Sequence, residues 1–200
     1  MKNTQQDNTS NQSRYFVELI ARAQNGDETA FEELYNEYFT QLYRYVLVRV
    51  GSGDEADDIT QMVFLKFYKN LQNWHDQGYN PSAYLYTIAR SVIADHFRSK
   101  ARKGKKIDSS DEVLEIIADP SQNLHANVIS NEEKANLYKA LQQLPENYQE
   151  ALLLRYVENL SSKEIADIID KSDVATRKLL SRAVSALSEV MKAQNKDLVQ

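Results

Sequence analysis

Residues 160–187, LSSKEIADIIDKSDVATRKLLSRAVSAL, read as two short helices joined by a tight turn. Ser161 and Glu164 have the spacing of a capping box, in which each side chain bonds the other's backbone N–H and so opens a helix. Ile165, Ala166 and Ile169 follow as an apolar stripe. Asp170 and Lys171 make the turn, because Asp tolerates the left-handed backbone better than most residues. Ser172 can cap the second helix, where Thr176, Leu179, Leu180, Ala183 and Leu187 recur at helical spacing. Such a pair is a helix-turn-helix, whose second member lies in the major groove when it binds DNA. A plain helical hairpin packing a core would carry the same stripe.

The rest of the chain predicts an all-α protein. Gly 5 and Pro 3 are low for 200 residues, and Leu, Ala, Glu, Lys and Gln fill long periodic stretches. A hydrophobic content of 42% is enough for compact cores, and the length allows one large domain or two small ones. No apolar run approaches the length of a membrane span. The polar start, MKNTQQDNTSNQS, lacks the apolar centre of a signal peptide and is expected to be a disordered tail over residues 1–13. With no Cys there is neither disulfide nor thiolate chemistry, and a cytoplasmic chain is expected.

Charge divides the molecule. The formal net charge of -5 argues against indiscriminate affinity for nucleic acid. Yet Arg90, Arg98, Lys100, Arg102, Lys103, Lys105 and Lys106 meet only Asp95 between residues 90 and 106. From Asp108 to Glu133 the charges are all acidic, and that switch marks a boundary.

Helical spacing then predicts a helix over 15–24, closed by Gly26, with Asp27 capping a long second helix that carries Phe31, Leu34, Tyr38, Leu42 and Val46. Gly51-Ser52-Gly53 breaks it, and Asp54 is expected to cap a third helix running to about Leu71. A loop, NWHDQGYNP, precedes a fourth helix started by Pro81, whose missing N–H costs nothing at that position. Residues 104–131 lack sustained periodicity and read as a flexible linker. Helices are expected over 133–143 and 146–157 ahead of the helix-turn-helix. The expected architecture is two small helical domains joined by a linker: 14–103 and 132–193, with 194–200 a second tail.

In order along the chain, ARAQNGDETAFEELYNEYFTQLYRYV, DEADDITQMVFLKFYKNL, AYLYTIARSVIADHFRSKARK and ALQQLPENYQEALLLRYVENLSSKEIADIID with its recognition helix resemble a bacterial RNA polymerase sigma factor of the extracytoplasmic-function type. The resemblance covers most of the chain from Leu19 to Val190. It implies a first domain that docks on core polymerase and melts the promoter, and a second that recognises the upstream promoter element. The implied partners are core RNA polymerase, through its largest-subunit clamp helices and its flap, promoter DNA and an anti-sigma factor. Membrane insertion, a cofactor, a metal and catalytic residues are not expected.

By that resemblance Asp57, Asp58 and Gln61 meet a basic partner helix, with Met62 and Leu65 as the apolar contact beside them. Acidic residues near a helix N-terminus also simply oppose its dipole. Opening DNA requires capturing an unstacked base, and Trp74, Tyr79, Tyr84 and Tyr86 are the aromatics available around the loop. Some of them could instead be core. Arg90, Ser91, Arg98, Lys100, Arg102 and Lys103 follow as holders of the separating strands. On the recognition helix Arg177 is the expected base contact, since Arg pairs best with guanine. Lys171, Ser172, Thr176, Lys178, Ser181 and Arg182 complete the DNA-binding set, with Asp173 beside them and Arg155 and Lys163 as further backbone contacts. Arg182 has an alternative role in a structural ion pair.

Three positions depart from the family's pattern. Asp170 and Val174 stand where Gly is frequent, so Val174 is expected to stiffen or tilt the start of the helix. Ser91 stands where Asn often follows the IAR motif. The main rival is an autonomous helix-turn-helix regulator binding a palindrome as a dimer. An enzyme is disfavoured, because His75, His96 and His125 have no ligand spacing and no phosphate loop or nucleophile signature occurs.

Overall fold

The computed structural model describes residues 3–76, 82–102 and 131–197, and every regular element among them is helical. Four helices form the first half: α1 (Asn3–Gln24), α2 (Glu28–Val50), α3 (Gly53–Asn70), closed by a 3-10 turn (Leu71–Asn73), and α4 (Ala83–Arg102). The second half holds α5 (Asn131–Gln142), α6 (Glu146–Leu152), a π-helical turn (Leu153–Val157), α7 (Ser162–Ile169) and α8 (Asp173–Asp197).

Helix covers part of both segments read as tails: α1 begins at Asn3, and α8 continues to Asp197. Once a helix is nucleated by a packed turn, each added residue gains one hydrogen bond, and neither extension contains Gly or Pro. Of the linker expected over 104–131, all but Asn131, the first residue of α5, lies outside the described residues, as does Pro81.

Chain breaks follow their local chemistry. Gly26 sits at φ 89, the left-handed region that suits a residue without Cβ. The Asp27 carboxylate accepts from the N–H of Thr29 at 3.1 Å and of Ala30 at 3.3 Å, opening α2. Ser52, rather than the expected Asp54, caps α3 through Glu55 N–H at 3.5 Å. Asp54 instead sits in the first turn, where a carboxylate favours the helix dipole.

Two compact units result. The first runs to Val46 and resumes at Asp57; the second takes Leu47–Ala56 and the C-terminal half. Within the second unit Arg49 pairs with Glu150 at 3.1 Å, both nearly buried, a contact no periodicity predicts. The first unit's core takes Phe16, Leu19 and Ile20 from α1, Leu34 and Tyr38 from α2, Val63 and Phe67 from α3, and Leu85 and Ile93 from α4. Phe16 meets Tyr38 edge-on at 4.8 Å. Each such side chain contributes roughly 1.5–3 kcal/mol of burial. In the second unit Leu144, Leu152 and Ala183 form a cluster joined by Leu141, Tyr148 and Leu187.

Candidate nucleic-acid interface

At the helix-turn-helix both halves of the capping box form. Glu164 N–H donates to Ser161 Oγ at 3.3 Å and Ser161 N–H to Glu164 Oε2 at 2.7 Å. Ile165, Ala166, Ile168 and Ile169 are buried, and Asp170 then turns the chain at φ 55, ψ 55. Ser172 Oγ accepts from Ala175 N–H at 3.2 Å and opens α8, which begins as a regular helix despite Val174. Val174, in the first turn of that helix, is 62% exposed.

Lys171, Ser172, Arg177, Lys178, Ser181 and Arg182 are all exposed, and the last four form one broad face of α8. Thr176 does not belong to that surface. It is fully buried, one heptad before Ala183, and its hydroxyl donates to the Ser172 carbonyl at 3.1 Å. That internal bond lets a polar side chain serve in the core. Arg177 is 68% exposed, but its guanidinium is engaged: Nε donates to Asp173 Oδ1 at 3.3 Å, and Nη2 forms a close ion pair with Oδ2. Ser162 Oγ donates to the same Oδ1 at 2.6 Å, tying α7 to α8. The Ser162 hydroxyl first, and Arg177 after it, hold the Asp173 carboxyl below its ordinary value. Arg155 Nη1 donates to the Leu160 carbonyl at 2.8 Å and so braces the approach to α7.

In the first unit the aromatics separate. Tyr86 is buried and meets Tyr45 edge-on at 5.2 Å, so it is core rather than a stacking surface. Tyr84 is half-buried with its ring 6.0 Å from Phe67. Trp74 is half-buried too, at the end of the 3-10 turn. Tyr79 and Lys103 lie outside the described residues. Trp74 is fixed by a residue from far along the chain. Gln24 Nε2 donates to the Leu71 carbonyl at 2.8 Å and to the Trp74 carbonyl at 2.9 Å, while Gln72 Nε2 donates back to the Gln24 carbonyl at 3.0 Å. These bonds clamp the start of the loop to the end of α1, beside a cleft of about 480 Å³ that includes Val17, His75 and Asp76.

On α4, Ser91, Arg98 and Arg102 are exposed, and Arg90 and Lys100 half-buried. Arg98 pairs with Asp95 at 2.8 Å, and Lys66 of α3 reaches the same carboxylate at 3.8 Å. The lone acid of the basic run is thus spent on neighbouring cations. On α3, Ile59, Val63 and Phe67 face the core, leaving Asp58, Gln61, Met62 and Leu65 exposed in a strip that Tyr68 extends. Asp57 is half-buried at its edge and accepts from Gln61 Nε2 at 2.7 Å. Sequence reasoning missed Tyr68, although its spacing of three from Leu65 was the available signal. It also missed Gln24 and Ser162, for which spacing offers none.

Two family models match the chain, Sigma-70 region 2 over residues 19–103 and Sigma-70, region 4 over residues 134–187. The chain therefore belongs to the sigma-70 family, as a sigma factor of the extracytoplasmic-function type. It is 33% identical over 184 residues to the extracytoplasmic-function RNA polymerase sigma factor BldN of Streptomyces coelicolor, spanning 90% of this chain and 67% of that protein. SigM of Bacillus subtilis is 26% identical over 76% of this chain and 89% of its own length. In fold it is similar to the sigma factor RpoE of Bartonella quintana, solved in complex with the anti-sigma factor NepR: TM-score 0.66, 22% identity, 81% of this chain and 96% of that one. A sigma factor binds core RNA polymerase and directs it to promoters; the autonomous regulator is not favoured. Among the described residues no helix is long and apolar enough to cross a membrane, and no group of side chains could hold a metal ion.

Proposed function

We propose that three surfaces divide the work of initiation. The exposed strip of α3, with Asp57, Asp58, Gln61, Met62 and Leu65, docks on the clamp helices of the largest polymerase subunit. The loop begun by Trp74, together with Tyr84, receives a base leaving the stack. Unstacking costs a few kcal/mol, and an aromatic ring returns about 1–3 kcal/mol. Arg90, Ser91, Arg98, Lys100 and Arg102 hold phosphates of the separating strands. On α8 Arg177 reads a base, while Lys171, Ser172, Lys178, Ser181 and Arg182 set position on the duplex backbone. The polymerase performs the catalysis, and the pair works in the cytoplasm. A linker of about 25 residues spans up to roughly 80 Å when extended, enough to let both DNA surfaces act on one promoter. An anti-sigma factor covers one or both units when the chain is idle, as NepR binds the RpoE of similar fold.

The observation that carries this reading is the strip on α3. Met62, Leu65 and Tyr68 are 45%, 45% and 55% exposed on a helix whose opposite side is wholly buried. Apolar side chains gathered in this way, beside carboxylates, suit a partner helix that is apolar and basic. The test is run-off transcription from genomic fragments with purified core enzyme. New start sites are expected only when the chain is added. Met62→Ala with Leu65→Ala should weaken core binding about tenfold, as expected for two truncated apolar contacts. Trp74→Ala should bind core normally yet open promoters poorly. A chain that yields no new transcript, and does not associate with core at low salt, would contradict the reading.

A further inference from the structure

We propose that Asp173 is a specificity-determining residue that aims Arg177 by leaving only one edge of its guanidinium free for a guanine. This rests on the reading of Arg177 as the base contact. A guanidinium carries five N–H donors in a rigid planar fork. Its side edge, formed by Nε and Nη2, is engaged by the two oxygens of Asp173. The end edge, with the Nη1 hydrogens and the outer Nη2 hydrogen, remains and matches the O6 and N7 acceptors of guanine.

Asp173 is itself held. Ser162 Oγ donates to Oδ1 at 2.6 Å from a different helix, and Arg177 Nε lies 3.4 Å from the same hydroxyl. The plane of the guanidinium is therefore fixed relative to α7 as well as α8. A long, exposed side chain fixed before it meets DNA loses less freedom on binding and tolerates fewer geometries. Asp173 remains ionised at neutral pH, since its carboxyl is held below the ordinary value. Without it Arg177 could turn toward a phosphate, which would keep affinity and lose sequence information.

The test uses holoenzyme assembled from purified core polymerase and the full chain. It is presented with promoter DNA randomised in the upstream element, and the bound fraction is sequenced. Wild type should favour guanine at one position, and Arg177→Ala should abolish that preference. Asp173→Ala should lower the guanine preference at that position by about fivefold. The overall amount of DNA bound should stay within about threefold, as expected when a phosphate contact replaces the base contact. Ser162→Ala should do the same more weakly. If Asp173→Ala misfolds, Asp173→Asn, which keeps one acceptor oxygen, carries the same readout. The proposal falls if the Asp173 variants keep the guanine preference while Arg177→Ala removes it, which leaves the base contact standing. It falls equally if they weaken all sequences alike, as a lost structural role would, or strengthen binding, as removal of a mask would. If Arg177→Ala changes no preference, the base contact itself is wrong and this inference goes with it.

Discussion

The start of α8 and the start of the loop after α3 both hold candidate DNA-contacting side chains on a fixed backbone, but they are fixed from different distances. Arg177 is held by Asp173, four residues away, and by Ser162, fifteen away. Trp74 is held by Gln24, fifty residues earlier, through the Trp74 and Leu71 carbonyls. The recognition head is thus assembled from neighbouring signals in one stretch of sequence. The start of the loop depends on Gln24 at the end of α1, a helix that also lines the adjoining cleft through Val17. A substitution in α1 can therefore disable an aromatic that it does not adjoin in sequence, whereas the α8 surface is vulnerable mainly to changes in α7 and its turn.

The strongest way to separate the two regions is to cut the core beneath one of them. Ile165 is fully buried in α7, and Ile165→Ala should cost about 2–5 kcal/mol. The second unit should then unfold at lower temperature and upstream-element binding should fail, while core binding through α3 persists. Calorimetry of the full chain, with a core-binding assay, checks both. Loss of core binding alongside would show that the regions are not independently built.

A gentler cut addresses the other side. Gln24→Ala removes two hydrogen bonds worth about 0.5–1.5 kcal/mol each. Promoter opening, followed by a fluorescent base analogue in the melted region, should slow several-fold, with core binding and upstream-element preference unchanged. If opening is unaffected, the clamp on Leu71 and Trp74 is ornamental to the loop, and its fixed start needs another cause.

These contrasts also explain what could be read from sequence. The capping box, the left-handed Asp170 and the buried stripe of α7 were all legible, because each depends on side chains within four residues of one another. The face of α3 was legible for the same reason, apart from Tyr68. Thr176 was misassigned because a hydroxyl at a stripe position reads as polar, yet it satisfies itself on the Ser172 carbonyl and goes inside. Tyr86 was ambiguous for a related reason: an aromatic beside a loop serves core and site equally well until its neighbour, Tyr45, is known. Gln24 was invisible, since a glutamine near a helix end carries no local mark of the carbonyls it will reach.

The turn offers a smaller test of how local the recognition head is. Asp170 occupies φ 55, ψ 55, where a residue with Cβ is strained by about 1–2 kcal/mol. Asp170→Gly relieves that strain but gives the unfolded chain more freedom, at about 0.5–1 kcal/mol. The net expectation is a gain below about 1 kcal/mol, seen as a small rise in the melting temperature of the second unit alone. A fall would mean that the Asp170 side chain makes its own contribution to the turn.

The smallest expected effect compares one carboxylate from each unit. Asp27 and Asp173 both have carboxyls held below the ordinary 3.8, Asp27 by the Thr29 hydroxyl first and Arg22 next, Asp173 by the Ser162 hydroxyl first and Arg177 after it. A depressed carboxyl in the folded state stabilises above the unfolded value, and that stabilisation is lost as pH falls through the folded one. Asp27→Asn and Asp173→Asn should therefore each lower the melting temperature of their own unit at neutral pH, and the deficit should vanish in acid. Both side chains are about a third exposed, at 36% and 32%, so solvent and salt screen the effect and it should be slight. Added salt should shrink the Asp173 deficit more where the Arg177 charge contributes and leave the Ser162 hydrogen bond largely intact. A deficit that grows as pH falls would reverse the sign and show that these acids are destabilised, not sheltered, by their partners.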